Sequence, residues 1–86
     1  MDKCDKLLQK ARRSPANLTF EELCRLAECY GWVFKRQEGT SHRTYGNHSV
    51  SIPEGYLMNF QDEKGKAKPY QVRQLLKAIE VLENDE

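Results

Sequence analysis

The chain has 86 residues, 38% of them hydrophobic and 31% charged, and its 14 Lys and Arg nearly balance its 13 Asp and Glu for a formal net charge of +1. That length holds one domain, residues 1–86, with one modest core and excludes a second, and the composition is that of a foldable chain rather than a disordered one. The balanced charge argues against a histone-like or polybasic membrane protein, yet leaves nucleic acid open because the placement of charge decides.

Residues 1–13 carry Cys4, Leu7, Leu8 and Ala11 at the i, i+3, i+4, i+7 spacing of an amphipathic helix. The helix should stop before Ser14-Pro15, since a residue preceding proline avoids the helical region. Thr19 followed three residues later by Glu22 has capping-box spacing, with Leu18 and Leu23 as a hydrophobic staple. Phe20, Leu23, Cys24, Ala27 and Tyr30 then share one face of a second helix, and Gly31 suits the left-handed residue that ends it.

From Trp32 the period changes to two. Trp32 and Phe34 are expected to face the core, with Val33, Lys35 and Gln37 on the other side. Residues 38–41 read as a turn and His42–Tyr45 as a second strand. Gly46-Asn47 reads as a hairpin turn and Val50–Ile52 as a third strand closed by Pro53. Residues 56–61 form a candidate fourth strand and residues 62–65 a polar turn. Pro69 fits the first position of a last helix carrying Val72, Leu75, Leu76, Ile79 and Leu82 at helical spacing. The predicted order is α-α-β-β-β-(β)-α, an α+β two-layer domain with helices on one face of a small antiparallel sheet.

No stretch approaches the ~20 apolar residues of a membrane span. Residues 1–6 carry acids with no apolar run behind them, so no secretory leader and no membrane association are expected. Cys4, Cys24 and Cys29 are odd in number and lack a Cys-x-x-Cys pair, which argues against a disulfide framework or a zinc ribbon. They read as small packing residues in a reducing cytoplasm.

Most catalytic constellations are absent from the sequence: there is no glycine-rich phosphate loop and no metal-ligand spacing, so neither metal nor cofactor is expected. His42 sits in Gln37-Glu38-Gly39-Thr40-Ser41-His42-Arg43, at the mouth of a hairpin. Imidazole titrates near neutral pH and can move a proton either way, while Arg43 is placed to hold a phosphate; the plainer alternative is a solvated turn histidine. His48 follows a tight turn, where polar residues are common. Five basic against two acidic residues over 62–79 give that segment +3, whereas residues 80–86 carry four acids and no base. A phosphate-binding surface from the strand ends and the last helix's start is one reading, and a solvated helix face with ordinary charge pairing is the other.

The run Tyr30-Gly31-Trp32-Val33-Phe34-Lys35-Arg36-Gln37-Glu38-Gly39-Thr40-Ser41-His42-Arg43-Thr44-Tyr45, with Val50-Ser51-Ile52-Pro53 and the closing helix from Tyr70 to Lys77, resembles the HicA family of bacterial toxins. The resemblance covers roughly residues 18–82 and leaves residues 1–16 as a helical extension. It implies a double-stranded-RNA-binding-domain-like fold and an mRNA endonuclease (an mRNA interferase), silenced by a HicB-type antitoxin of a type II toxin–antitoxin system. The family's essential histidine maps onto His42. Lys35, Arg36, Ser41, Arg43, Lys66, Lys68 and Arg73 are the expected RNA contacts, with no metal, a monomeric free state and a cytoplasmic setting. The alternative is a non-catalytic module of the same fold that binds RNA or protein.

Overall fold

Local sequence sets the helix ends. Asp2 caps the first helix, α1 (Lys3–Arg13), its carboxylate accepting from Asp5 N at 2.9 Å. The second helix, α2 (Phe20–Cys29), opens on a complete capping box: Thr19 Oγ1 accepts from Glu22 N, and the Glu22 carboxylate accepts from Thr19 N. It ends where Gly31 adopts φ +101°. A side chain at Gly31 would be strained, and its Cβ would meet the Asn47 amide at 3.2 Å. The structure, a computed structural model, describes residues 2–48 and 57–84.

Four strands follow: β1 (Val33–Glu38), β2 (His42–Gly46), β3 (Leu57–Glu63) and β4 (Lys66–Ala67). They form one antiparallel sheet in sequential order, and the chain closes with α3 (Pro69–Asn84). The described residues thus make an α+β domain of three α-helices and a four-stranded open sheet. The expected strand at Val50–Ile52, closed by Pro53, lies outside the described residues. The strand expected at 56–61 is β3, which continues to Glu63. The polar turn narrows accordingly to Lys64 and Gly65, both with positive φ (53° and 86°), as a two-residue hairpin requires.

One side of the sheet meets the helices. Met58 and Phe60 point into a core shared with Leu18, Leu23, Leu26, Trp32, Val72, Leu75 and Ile79, all buried. Leu57 and Asn59 point to the opposite, exposed side. Gln71, in the first turn of α3, is buried and replaces a neighbouring strand for β3. Its amide donates to Asn59 O and accepts from Gln61 N, both at 2.9 Å. The far edge of the sheet is covered as well, since Phe20 N donates to Gly65 O and Ala67 N to Leu18 O.

Two expectations need correction. Trp32 is buried, but Phe34 is 47% exposed. Phe34 keeps the helix-side face opposite Tyr45, but this edge strand is exposed along its length, so Phe34 only leans on the Tyr45 ring, with centroids 5.8 Å apart. The bulge between Phe34 and Arg36 instead turns Gln37, expected on the other side, to the helix side. Cys4 and Cys29 form a disulfide across 25 residues, with Cα atoms 5.8 Å apart, while Cys24 is free and buried. The packing of α1 against α2 brings the start of one beside the end of the other, a pairing that cysteine spacing does not show.

Replacing Thr19 with Ala removes one side of the capping box and should cost about 1 kcal/mol, read from a urea midpoint. Burial pushes the Glu22 carboxyl up, but the Thr19 amide, Lys10 and the Thr19 hydroxyl together hold it below its ordinary value. A depressed carboxyl stabilises the fold above its unfolded pKa, and that contribution fades as pH falls through the folded one. Wild type and Glu22→Gln should therefore converge in stability under acid, whereas the Thr19→Ala deficit, which lies in a bond from a backbone N–H, should persist. A Glu22→Gln difference that stays constant down to low pH would contradict the assignment.

Candidate active site

The strand registers sort the candidate residues onto two faces. Partners across β1, β2 and β3 run Val33–Gly46–Leu57, Arg36–Thr44–Asn59 and Glu38–His42–Gln61 in alternate rows, with Phe34–Tyr45–Met58 and Gln37–Arg43–Phe60 in the rows between. Directly opposed residues share a face. Met58 and Phe60 mark the helix side, so His42, Arg36, Glu38, Thr44, Asn59 and Gln61 lie on the open side.

His42 opens β2 after a three-residue loop, and Ser41 fixes that loop by accepting from Asp62 N at 2.7 Å through its carbonyl. The imidazole is half-buried, with Ser41 Oγ 3.3 Å from Nδ1. Opposite it in the register, the Glu38 carboxylate is tied at both oxygens. Arg36 Nε donates to Oε1 at 2.7 Å and Asn59 Nδ2 to Oε2 at 3.3 Å, and the Asn59 amide lies the same distance from Thr44 Oγ1. The Arg36 guanidinium holds the Glu38 carboxyl below the usual carboxylate range, with Asn59 and His42 acting in the same direction. Among the described residues an imidazole, a fixed carboxylate and a guanidinium therefore meet on the face of the sheet away from the three helices, around the buried Thr44.

Lys35, within the bulge, lays its stem over Gly46. A Cβ built at Gly46 would stand 2.9 Å from Lys35 Cε and 3.3 Å from a Leu57 methyl. Gly46 is therefore the residue that lets this lysine cross the open face.

Arg43 is elsewhere. Although adjacent to His42 in sequence, it projects to the helix side, 5.0 Å over the Phe20 ring, and donates through Nε to Gln37 Oε1. There it borders a shallow hollow with Glu28, Phe34, Gln37 and Tyr45. The Tyr45 hydroxyl donates to Glu28 at 3.3 Å. Burial pushes both the Tyr45 phenol and the Cys24 thiol up, so Cys24 is no thiolate nucleophile near neutral pH. His42 and Arg43 cannot jointly hold one phosphate on a single face, which corrects the expectation that they act together.

The remaining cations lie toward the far edge of the sheet. Lys66 is exposed on β4, Lys68 pairs with Glu63 at 3.0 Å, and Arg73 is exposed near the start of α3. β4 is two strands from His42, roughly 10 Å at the usual strand spacing. Lys10 pairs with Glu22 and Arg12 with Glu83, so the basic end of α1 is largely answered by acids. His48 is exposed just past β2.

Among the described residues no three His, Cys, Asp or Glu side chains are grouped to hold a metal ion, and no helix is long and apolar enough to cross a membrane. No family model, curated protein or solved structure matches the chain. The family resemblance therefore rests on the sequence motif, and the site rests on its geometry.

Sequence reasoning passed over Glu38 and Asn59. Glu38 was within reach: a three-residue loop with Gly39 at φ +67° sets residue 38 opposite 42. Asn59 required the β2–β3 register, which no local pattern in the sequence fixes.

Proposed function

We propose that this chain is the toxin of a type II toxin–antitoxin system: an mRNA endonuclease of the HicA kind, with a double-stranded-RNA-binding-domain-like core and a cognate HicB-type antitoxin. The observation that carries the reading is His42, half-buried on the open face of the sheet in the same surface as Arg36 and Glu38. An RNA strand laid across this face meets an imidazole, a side chain suited to proton transfer, beside a guanidinium suited to phosphate.

The reaction is attack of a ribose 2′-oxygen on its own 3′-phosphodiester. The new O2′–P bond forms as the P–O5′ bond breaks, the 2′-OH proton leaves and the 5′-oxygen gains one, giving a 2′,3′-cyclic phosphate and a 5′-hydroxyl. Arg36, Lys35 and Ser41 contact the phosphates beside the reacting one, and Lys66, Lys68 and Arg73 hold RNA beyond β3. Arg43 takes no part in this surface. The free toxin is monomeric and acts in the cytoplasm, where Cys4 and Cys29 are kept largely as thiols.

The test is cleavage of a bacterial transcript by purified protein in EDTA. Cuts ending in cyclic phosphate are expected, with protection of an RNA carrying a 2′-deoxy sugar at the cut. RNA that stays intact, or a deoxy site that is cut equally, overturns the proposal.

A second reading, a binding module without catalysis, is favoured by one observation. Val33 and Leu57 are 59% and 48% exposed on either side of Gly46, an apolar strip on the same open face that suits a protein partner. RNA retained without cleavage, or a partner captured by this strip alone, selects it.

A further inference from the structure

We propose that Glu38 is the second proton-transfer group of the site, taking the 2′-OH proton while His42, as its imidazolium, gives one to the departing 5′-oxygen. This rests on the RNA-cleaving reading above and assigns the roles within it. Three observations carry it.

Glu38 stands opposite His42 in the strand register, which places their Cβ atoms about 5 Å apart on one face. A phosphodiester set over the pair therefore has one group on each side. The carboxylate is also held as a positioned base must be: its two oxygens have separate donors on different strands, Arg36 on β1 and Asn59 on β3. Asn59 is in turn set by Thr44. A solvated surface ion pair needs only the first of these bonds, whereas fixing a reacting group to a fraction of an ångström needs support from more than one direction. Finally, Arg36 reaches Glu38 through Nε, which keeps the two terminal NH₂ groups of the guanidinium for a phosphate oxygen.

The proton balance closes within these side chains. The 2′-OH proton passes to Glu38 as O2′ bonds to phosphorus. The P–O5′ electron pair leaves with oxygen and takes the proton of His42. One group ends protonated and the other neutral, and solvent restores both.

The roles predict opposite pH limbs. Glu38 must be ionised, so the rate rises with pH through its titration; His42 must be protonated, so the rate falls as the imidazole loses its proton. Among the described residues, the charged groups that the register and contacts put on this face are Arg36 and Lys35 on β1, Glu63 at the end of β3 with its partner Lys68, and Lys66 opposite Glu63 on β4. The helices pack on the other side of the sheet.

The experiment uses the full chain and an RNA that it cuts, prepared also with sulfur replacing the 5′-oxygen at the cut. A thiolate departs without an acid. Glu38→Gln, which keeps shape and exposure, is expected to lower kcat about 10²-fold with KM little changed and to lose the acidic limb of the pH profile. The sulfur-containing RNA should restore much of the rate to His42→Ala but none to Glu38→Gln. Glu38→Asp is expected to retain a measurable acidic limb, which separates proton transfer from a lost contact. Wild-type rate in Glu38→Gln alongside an inactive His42→Ala, or rescue of Glu38→Gln by sulfur, overturns the assignment and leaves RNA cleavage standing. Failure of wild type to cut any RNA overturns the reading beneath it.

Discussion

Changing His42 to Ala is expected to lower RNA cleavage by about 10²–10⁴-fold, the usual weight of a positioned proton-transfer group. The fold should be left almost untouched. His42 is half-buried on the open face, its side-chain neighbour is the Ser41 hydroxyl, and among the described residues no core hydrophobic packs on that side of the sheet. Surface changes of this kind usually move stability by no more than about 0.5 kcal/mol. The two quantities should therefore separate: a preserved unfolding midpoint with lost cleavage. In a bacterial host the same contrast is a growth arrest that wild type causes and His42→Ala does not, at equal soluble levels. His42→Gln keeps a polar side chain of similar reach but cannot carry a proton, and it should behave as Ala does. Full activity in either variant would remove His42 from the chemistry. Loss of activity together with a large fall in stability would make it a structural residue.

Replacing Cys4 with Ser is expected to cost about 3–4 kcal/mol under oxidising conditions, if the closed loop of 25 residues acts chiefly on the unfolded chain. For a domain of this size that lowers the melting temperature by more than about 10 °C. The loss should fall mainly on α1, which joins the core through Leu8 and Ala11 and meets α3 through the exposed Arg12–Glu83 pair, a weak restraint by itself. Melting wild type with and without a thiol reductant measures the effect independently: the reductant should carry wild type down to the variant and leave the variant unchanged. Wild type that is indifferent to reductant would show that the two sulfurs add nothing to stability. Cleavage offers a second comparison. The groups proposed to react all lie on the sheet side away from α1, so Cys4→Ser should cut RNA at close to the wild-type rate while folded.

Much of this architecture was open to reading from local pattern. The capping box at Thr19 and Glu22, the left-handed Gly31, the α1 stripe ending at Arg13 and the helix beginning at Pro69 all stand as expected. Each depends on residues within a turn or two of one another, where backbone sterics and hydrogen-bond geometry act without help from distant parts of the chain. His42 was a candidate from its place at a glycine-containing turn, and the family resemblance, not local pattern, set it above a solvated turn histidine.

What depends on register and on distant neighbours was not open to that reading. The bulge in β1 turned Gln37 to the helix side, because a one-residue irregularity moves the residues beyond it to the other face, while Phe34 kept its face and lies half in solvent on an exposed edge strand. The Gln71 amide completes β3 from ten and twelve residues away, and nothing local marks that glutamine from the others. The odd cysteine count pointed away from a disulfide, yet the packing of α1 on α2 made one. The sheet grouped the candidate residues in the same manner. The alternation of β2 sends Arg43 to the Phe20 ring and His42 to the open face, and pairing with β1 and β3 gathers Glu38, Arg36 and Asn59 around it. The near-neutral balance of 14 basic and 13 acidic residues determined only that no single charge dominates the chain. Which cations are answered by acids and which stand beside His42 was decided by tertiary structure, because Coulomb interactions follow distance in space, not order along the chain.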